Sequence, residues 1–432
     1  MMRTFRRGIH PLENKLTADI PLQEFPTPDK VYIPLSQHIG APAEAIVKEG
    51  DEVKCGTLIA AAKGNMSACV HSSVSGTVLG IVQRTSARGT PVPHVCIQND
   101  GRYEQERLNI LENPSREEII ERIKEAGIVG MGGATFPTHI KYQTTKKIDT
   151  LIINASECEP YLTCDHRLML DETDEFLRGV VYLKKAADAA RAVIGVEKNK
   201  KDAYIKLKEK AAGLGIDVRL LKTKYPQGSE KQLIYAITRR FVPTCGLPSD
   251  IGVIVSNVHT AYSLCRAIEL GEPCYKRAVT VSGGGVEQKG NFFIRIGVPY
   301  GYIYEKLRGN MVEDDTHKIL VGGPMMGIAL HSLEPVTTKG ASGVLFLTDK
   351  EFYHEKETQC INCASCVRSC PMNLMPLEIE ACILGGQEDR LEKYHVQSCV
   401  ECGACAYVCP AKRPLLQAIR LAKQTIAKRR TK

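Results

Sequence analysis

The sequence predicts a multidomain chain of α/β and α+β class that ends in a small helical, cysteine-rich domain. Three observations predict it. At 432 residues the chain is too long for one compact core. Short alternating segments bounded by Gly-Asp and Ser-Gly turns give way, after residue 115, to apolar strands separated by helical stretches. Near the end, cysteines recur twice at one close spacing.

Composition narrows the class further. With 43% hydrophobic and 25% charged residues the chain is globular, neither disordered nor fibrous. Lys and Arg exceed Asp and Glu by 57 − 49 = 8. The excess gathers at Lys423, Lys428, Arg429, Arg430 and Lys432, read as a solvated helix end. No apolar run reaches bilayer length, and Met1 to Pro11 lacks the apolar segment of a secretory signal. The expected place is the cytosol, or the membrane surface on that side. There, 17 cysteines, eight of them at ligand spacing, mean metal rather than disulfides.

Residues 1–30 are rich in proline and polar groups and read as an N-terminal arm. Over 31–99, Ile46–Val53, Gly56–Ala60 and Val74–Val78 are short strands around turns. The segment resembles the barrel-sandwich hybrid of biotinyl and lipoyl carriers. Those carriers place methionine before the modified lysine, whereas here Ala62 precedes Lys63. The module is therefore read as unmodified, with Lys63 a solvated turn residue.

Residues 115–275 read as a Rossmann-like α/β domain. Ser115 and Glu118 form a capping-box signal for a helix from Arg116 to Ala126. Thr150–Ala155 and Ile251–Ser256, built around the apolar runs Leu151–Ile153 and Val253–Val255, read as buried parallel strands. Helices are expected at Asp171–Ile194 and His259–Leu270. In residues 276–345, strands at Arg277–Val286, Gly290–Val298 and Lys318–Gly323 surround a short helix at Gly301–Arg308. That pattern predicts a β-grasp domain.

Residues 355–432 carry the cysteine repeats. Cys360, Cys363, Cys366 and Cys370 form C-x2-C-x2-C-x3-C before Pro371, and Cys399, Cys402, Cys405 and Cys409 repeat it before Pro410. A tight triplet wraps one cubane cluster and takes its fourth thiolate from the other repeat. One 4Fe–4S cluster is thus assigned Cys360, Cys363, Cys366 and Cys409. The other takes Cys370, Cys399, Cys402 and Cys405. Zinc sites use separated cysteine pairs, so this is a helical two-cluster ferredoxin domain. Helices are expected around Pro376–Ile383, with Cys382 a buried free thiol, at Asp389–His395, and from Pro414 to Lys428.

Two loops of the α/β domain are candidate ligand sites. Gly127 to Pro137 contains Gly130, Gly132 and Gly133, whose backbone can approach an anion closely. It follows a helix, so it is no dinucleotide fingerprint, and a tight turn is the plainer reading. Asn154 to Pro160 lies where a strand ends, the position at which open α/β sheets bind ligands. Its acidic residues suit ribose hydroxyls and solvation equally.

These motifs together resemble RnfC, the peripheral NADH-oxidising subunit family of the membrane-bound Rnf electron-transport complex. The resemblance rests on Gly8-Ile9-His10-Pro11, the glycine loop through Thr138 and Lys141, the acidic loop, Tyr225-Pro226-Gln227-Gly228-Ser229-Glu230, and Asn257-Val258-His259-Thr260. The glycine and acidic loops also resemble the flavin site of the NADH-oxidising subunit of respiratory complex I. Met131 and Ser156 depart from that relative's arginine and aspartate. The resemblance implies FMN and NAD(H) at Gly130, Gly132, Gly133, Phe136, Lys141, Asn154, Glu157, Gly228, Glu230, Asn257 and Thr260, with Phe136 stacking on NADH and Glu157 holding ribose or ring groups. It makes 115–275 the FMN/NADH-binding domain. A flavin is expected on chemical grounds too, because nicotinamide passes electrons in pairs and a 4Fe–4S cluster takes them singly. The implied partners are other Rnf subunits, membrane-embedded and ferredoxin-like, with no nucleic acid; the implied place is the cytoplasmic face of the membrane. Two rivals stand: a cobalamin reductase of the propanediol-utilisation type, disfavoured by the His10-Pro11 arm, and a flavin-free relay or scaffold subunit.

Overall fold

The computed structural model describes residues 2–310, 316, 318–352 and 355–430; Lys432 of the basic tail lies outside them. In residues 30–99, Lys30–Pro34, Pro91–Asn99, Gly76–Thr85 and Glu52–Val53 form one antiparallel sheet. Glu44–Ala45, Leu58–Ala61 and Val70–His71 form a second. Val31, Ile33, Ile59, Val70, Val95 and Ile97 are fully buried, as the alternating pattern requires.

The α/β domain begins with the helix Arg116–Glu125, whose Ser115 and Glu118 form the expected capping box. Its sheet is fully parallel, in the order Ile216–Leu221, Arg191–Glu197, Thr150–Ala155, Val253–Asn257. The chain builds outward from Thr150–Ala155 and then returns to its other side with Val253–Asn257. The strand order therefore reverses between those two strands, and their ends, Asn154 and Asn257, are paired in register.

The expected helix Asp171–Ile194 is corrected here. A helix spans Thr173–Ala186, and Arg191–Glu197 is a central strand. The alanines carried the helical reading. A left-handed turn at Asp188, with φ of 48°, breaks the helix, and the β-branched Val193 and Ile194 then enter the sheet. Helix Thr173–Ala186 meets helix Val258–Glu269 backbone to backbone at Gly179, where a Cβ would stand 1.9 Å from the Ala261 carbonyl oxygen.

Residues 276–347 form most of a six-stranded mixed sheet, ordered Leu22–Glu24, Gly290–Arg295, Lys276–Ser282, Gly343–Leu347, Lys318–Val321, Ile328–Leu330. The N-terminal arm thus supplies an edge strand, parallel to Gly290–Arg295. The cysteine-rich domain has its own core, including Ile379, Leu391, Val396, Ile419, Ala422 and Ile426. The helix expected at Asp389–His395 is only a short 3-10 turn, Glu388–Arg390, followed by turns. Leu391 anchors that stretch, and His395 at φ of 50° closes it. The domain docks on the rest through the arm: Gly8 N donates to Ser369 O at 3.1 Å, and Arg7 to Val367 O at 2.7 Å. Among the described residues no helix is long and apolar enough to cross a membrane.

Candidate functional site

At a reversal of strand order the loops leaving neighbouring strands diverge, the position at which open α/β sheets bind ligands. The glycine loop closes one side. Thr260, in the first turn of helix Val258–Glu269, accepts from Met131 N at 3.2 Å and donates to Val129 O at 3.2 Å. Behind the loop, fully buried Lys339 donates to Gly127 O at 2.7 Å and to Cys69 O of the barrel at 2.6 Å. Buried Arg277 donates to Met131 O at 2.6 Å and Lys339 O at 2.7 Å. With its backbone held from behind, the loop exposes Gly132, Gly133 and Ala134, and a Cβ on Gly133 would meet nothing. Phe136 stands half-buried at its end.

The acidic loop closes the other side. Both Glu157 oxygens accept amides at the start of helix Cys164–Asp171: Asp165 N at 2.8 Å and His166 N at 3.1 Å. The negative charge suits that helix end. Glu157 itself has φ of 42°, a left-handed conformation costing a side-chain-bearing residue about 1–2 kcal/mol. Lys15 from the arm offsets it by donating to Glu157 O and Glu159 O at 2.8 Å and Leu162 O at 2.5 Å. Loss of solvent lowers the Lys15 ammonium to about 8. Asn154 donates to Gly228 O at 2.7 Å, and Asn257 to Asp165 at 2.6 Å. Burial first, then the Glu157 charge, raises Asp165 well above the usual carboxylate range. Its second oxygen is buried and has no hydrogen-bond partner.

Glycine loop, Asn154, Glu157, Gly228, Asn257 and Thr260 therefore converge on one crevice. Lys141 and Glu230 lie beside it, 3.9 Å apart, with Lys141 also donating to Val255 O at 3.2 Å. An exposed glycine backbone, carboxylates and an orphaned buried oxygen suit a phosphate-bearing, polyhydroxylated heterocycle such as FMN. Sequence reasoning missed Asp165, Lys15 and Arg277. A lone lysine in an arm and an arginine in a strand carry no local signal; Asp165, opening a helix beyond the acidic loop, carried a weak one.

The cysteines separate into two sets. Cys360, Cys363, Cys366 and Cys409 line one small cavity together with Leu377 and Arg413. Cys370, Cys399 and Cys402 lie close enough to Cys405 for their charges to raise its thiol, after burial has done so first. Each set holds three thiols of one repeat and one of the other, the donor set of a cubane cluster. Cys382, 2% exposed, stays outside both.

The arrangement makes Glu157 a test of the crevice. In Glu157→Gln one acceptor becomes a donor facing a backbone N–H, at a cost of about 1–3 kcal/mol to the loop. Steady-state kinetics should show kcat/KM for NADH reduced by roughly tenfold, with iron content unchanged. Unaltered kinetics would leave Glu157 a helix-capping carboxylate with no part in the crevice's chemistry.

Comparison with known proteins places the modules in the same order. Residues 3–102 match the RnfC barrel sandwich hybrid domain, 123–266 the Nuo51 FMN-binding domain and 359–412 a 4Fe–4S dicluster domain. The chain is 42% identical, over 98% of its length and 94% of the relative's, to a subunit of the proton-translocating ferredoxin:NAD+ oxidoreductase complex of Clostridium ljungdahlii. It is 41% identical to a subunit of the Na+-translocating ferredoxin:NAD+ oxidoreductase complex of Acetobacterium woodii, over 99% of this chain and 98% of that one. In fold it is similar to a chain of an NAD+-reducing [NiFe]-hydrogenase, with a TM-score of 0.50 and 18% identity over 65% of this chain and 54% of that one.

Proposed function

Because the chain belongs to the RnfC family, whose members are subunits of ion-translocating ferredoxin:NAD+ oxidoreductase complexes, we propose that its crevice is where NADH delivers electrons to that complex. It is an oxidoreductase subunit with FMN, two 4Fe–4S clusters and NAD(H), and it works with the other Rnf subunits. The observation that carries the reading is the meeting of glycine loop and acidic loop at the reversal of strand order, with the cluster domain docked against the same acidic loop.

Bound FMN supplies the conversion from a hydride pair to single electrons. The chain's own residues do the holding. Gly130, Gly132 and Gly133 let the backbone approach the flavin, with Lys141 as a nearby cation. Asn154, Glu157, Gly228, Glu230, Asn257 and Thr260 shape the crevice, and Phe136 offers a ring to NADH. Asp165 joins them through its unpartnered oxygen. No side-chain base is needed, because hydride moves directly.

The ligand sets support crossed ligation of the two clusters. Cys402 lies against the acidic loop, whereas Cys360 is exposed beside Ile361, itself 66% exposed. Electrons therefore enter at the Cys370 cluster and leave at the Cys360 cluster, toward membrane-embedded and ferredoxin-like partners at the cytoplasmic face. Counted along the chain, the parallel sheet has the order 3-2-1-4, which supports a Rossmann-like domain. The hairpin–helix–strand order of 276–345, with first and last strands parallel in the centre, supports a β-grasp domain.

Protein reconstituted with iron, sulfide and FMN is expected to reduce an artificial acceptor with NADH, and NADH should bleach the flavin. Failure to retain FMN, with clusters present, would return the chain to a flavin-free relay.

A further inference from the structure

One contact joins the two halves of the site and is unused by the reading above. Tyr225, 1% exposed, donates its hydroxyl to the carbonyl of Cys402 at 2.7 Å. The same hydroxyl oxygen stands 3.2 Å from the Glu159 carboxyl group, in the acidic loop. Glu159 also accepts Met325 N at 3.0 Å. Around this junction, Ile9, Cys158, Met325, Val400, Val408 and Ala404 form an apolar cluster that keeps water out. The backbone is pinned as well: Ile9 and Tyr225 exchange hydrogen bonds of 2.9 Å in both directions.

We infer that Tyr225 is a positioning residue for electron transfer, fixing the loop of Cys402 against the acidic loop and tuning the cluster that Cys402 ligates. The inference rests on the cluster and flavin reading above. Three physical points support it. First, the Cys402 carbonyl lies in an apolar junction, and Tyr225 supplies its hydrogen bond. Withdrawing that hydrogen would leave the negative end of a peptide dipole uncompensated beside a group that gains negative charge on reduction. Second, one hydroxyl has one hydrogen. The shorter contact takes it, so the Glu159 contact is completed by a hydrogen from the Glu159 side. Removal from water raises the Glu159 carboxyl to about 7, consistent with that role. Third, the acidic loop that carries Glu159 also carries Glu157 of the crevice, so Tyr225 links flavin site and cluster through one hydrogen-bonded segment.

The test uses the full chain with clusters and FMN, and a readout that does not depend on turnover. The Cys402 cluster is identified by the EPR signal that a Cys370→Ala variant lacks, and is titrated with dithionite. Tyr225→Phe removes one oxygen atom and nothing else. At a fixed potential, the reduced fraction of that cluster relative to the oxidised one should fall about 3- to 10-fold, while FMN content and the other cluster stay unchanged. Mixed rapidly with NADH, which yields NAD+, a proton and one electron for each cluster, the variant should reduce its clusters about tenfold more slowly. Glu159→Gln keeps an acceptor for Met325 and hydrogens for the Tyr225 oxygen, and should hold the wild-type potential. Glu159→Ala leaves the Tyr225–Cys402 hydrogen bond in place but cuts the link to the acidic loop, so it should hold the potential and slow NADH-driven cluster reduction. An unchanged potential and rate in Tyr225→Phe would reduce the contact to packing. Should that variant fail to fold, equal rates of NADH-driven cluster reduction in Glu159→Gln and Glu159→Ala would overturn the inference. Either negative result, with NADH still reducing the clusters, leaves the proposed function standing.

Discussion

In Cys370→Ala, about half of the iron is lost, and it is the half held by Cys399, Cys402 and Cys405. The reason is spatial. Cys370 lies in the first repeat, yet its charge acts on Cys399, Cys402 and Cys405. Cys409 closes the cavity of Cys360, Cys363 and Cys366. Iron analysis and EPR should find one intact cluster, and NADH should no longer reduce it, since the cluster nearer the flavin is missing. Retention of the Cys399 set with loss of the Cys360 set would refute crossed ligation. Cys370 is only 8% exposed and packs in the domain core, so circular dichroism must accompany the measurement.

Gly132→Val should abolish FMN retention while dithionite still reduces both clusters. A Cβ at Gly132 would stand 3.0 Å from the Cβ and Nδ2 of Asn257, and Asn257 both caps helix Val258–Glu269 and holds Asp165. A branched side chain must displace Asn257 or enter the crevice. Overpacking of this kind costs about 1–3 kcal/mol, which a chain of this size tolerates. NADH then reduces no cluster, because paired electrons cannot be split. Flavin content, circular dichroism and cluster absorbance on one preparation decide the matter. Wild-type FMN and activity would make the loop a turn. If valine unfolds the protein, Gly132→Ala replaces it, since Asn257 need yield only a few tenths of an ångström.

Much of this was legible in the residues. The cysteine repeats declare their chemistry through spacing alone, and Ser115 with Glu118 marks a helix start that the structure reproduces. Thr150–Ala155 reads as a buried parallel strand because Leu151 to Ile153 run apolar without alternation, and it has strands on both sides. The misreading of Asp171–Ile194 has one cause. Ala186 to Ala190 favours helix locally, but sheet pairing at Arg191–Glu197 outweighs that propensity. At Asp389–His395 the stretch ends in turns, with Leu391 buried and His395 left-handed.

The sequence by itself determined the cluster ligands' types and spacing, the buried strand Thr150–Ala155 and the capped helix that precedes it, and the presence of a flexible-backbone loop. These are properties of neighbours within a few residues, and periodicity and spacing report them. Only the tertiary structure decided which distant groups meet. Lys15 reaches the acidic loop, Arg277 and Lys339 hold the glycine loop from behind, and Tyr225 joins Cys402 across 177 positions. Each is a lone polar side chain whose partner is a backbone carbonyl. A carbonyl is present at every residue, so no sequence pattern marks the one chosen; the packing of buried surfaces chooses it, and burial then makes the contact costly to lose.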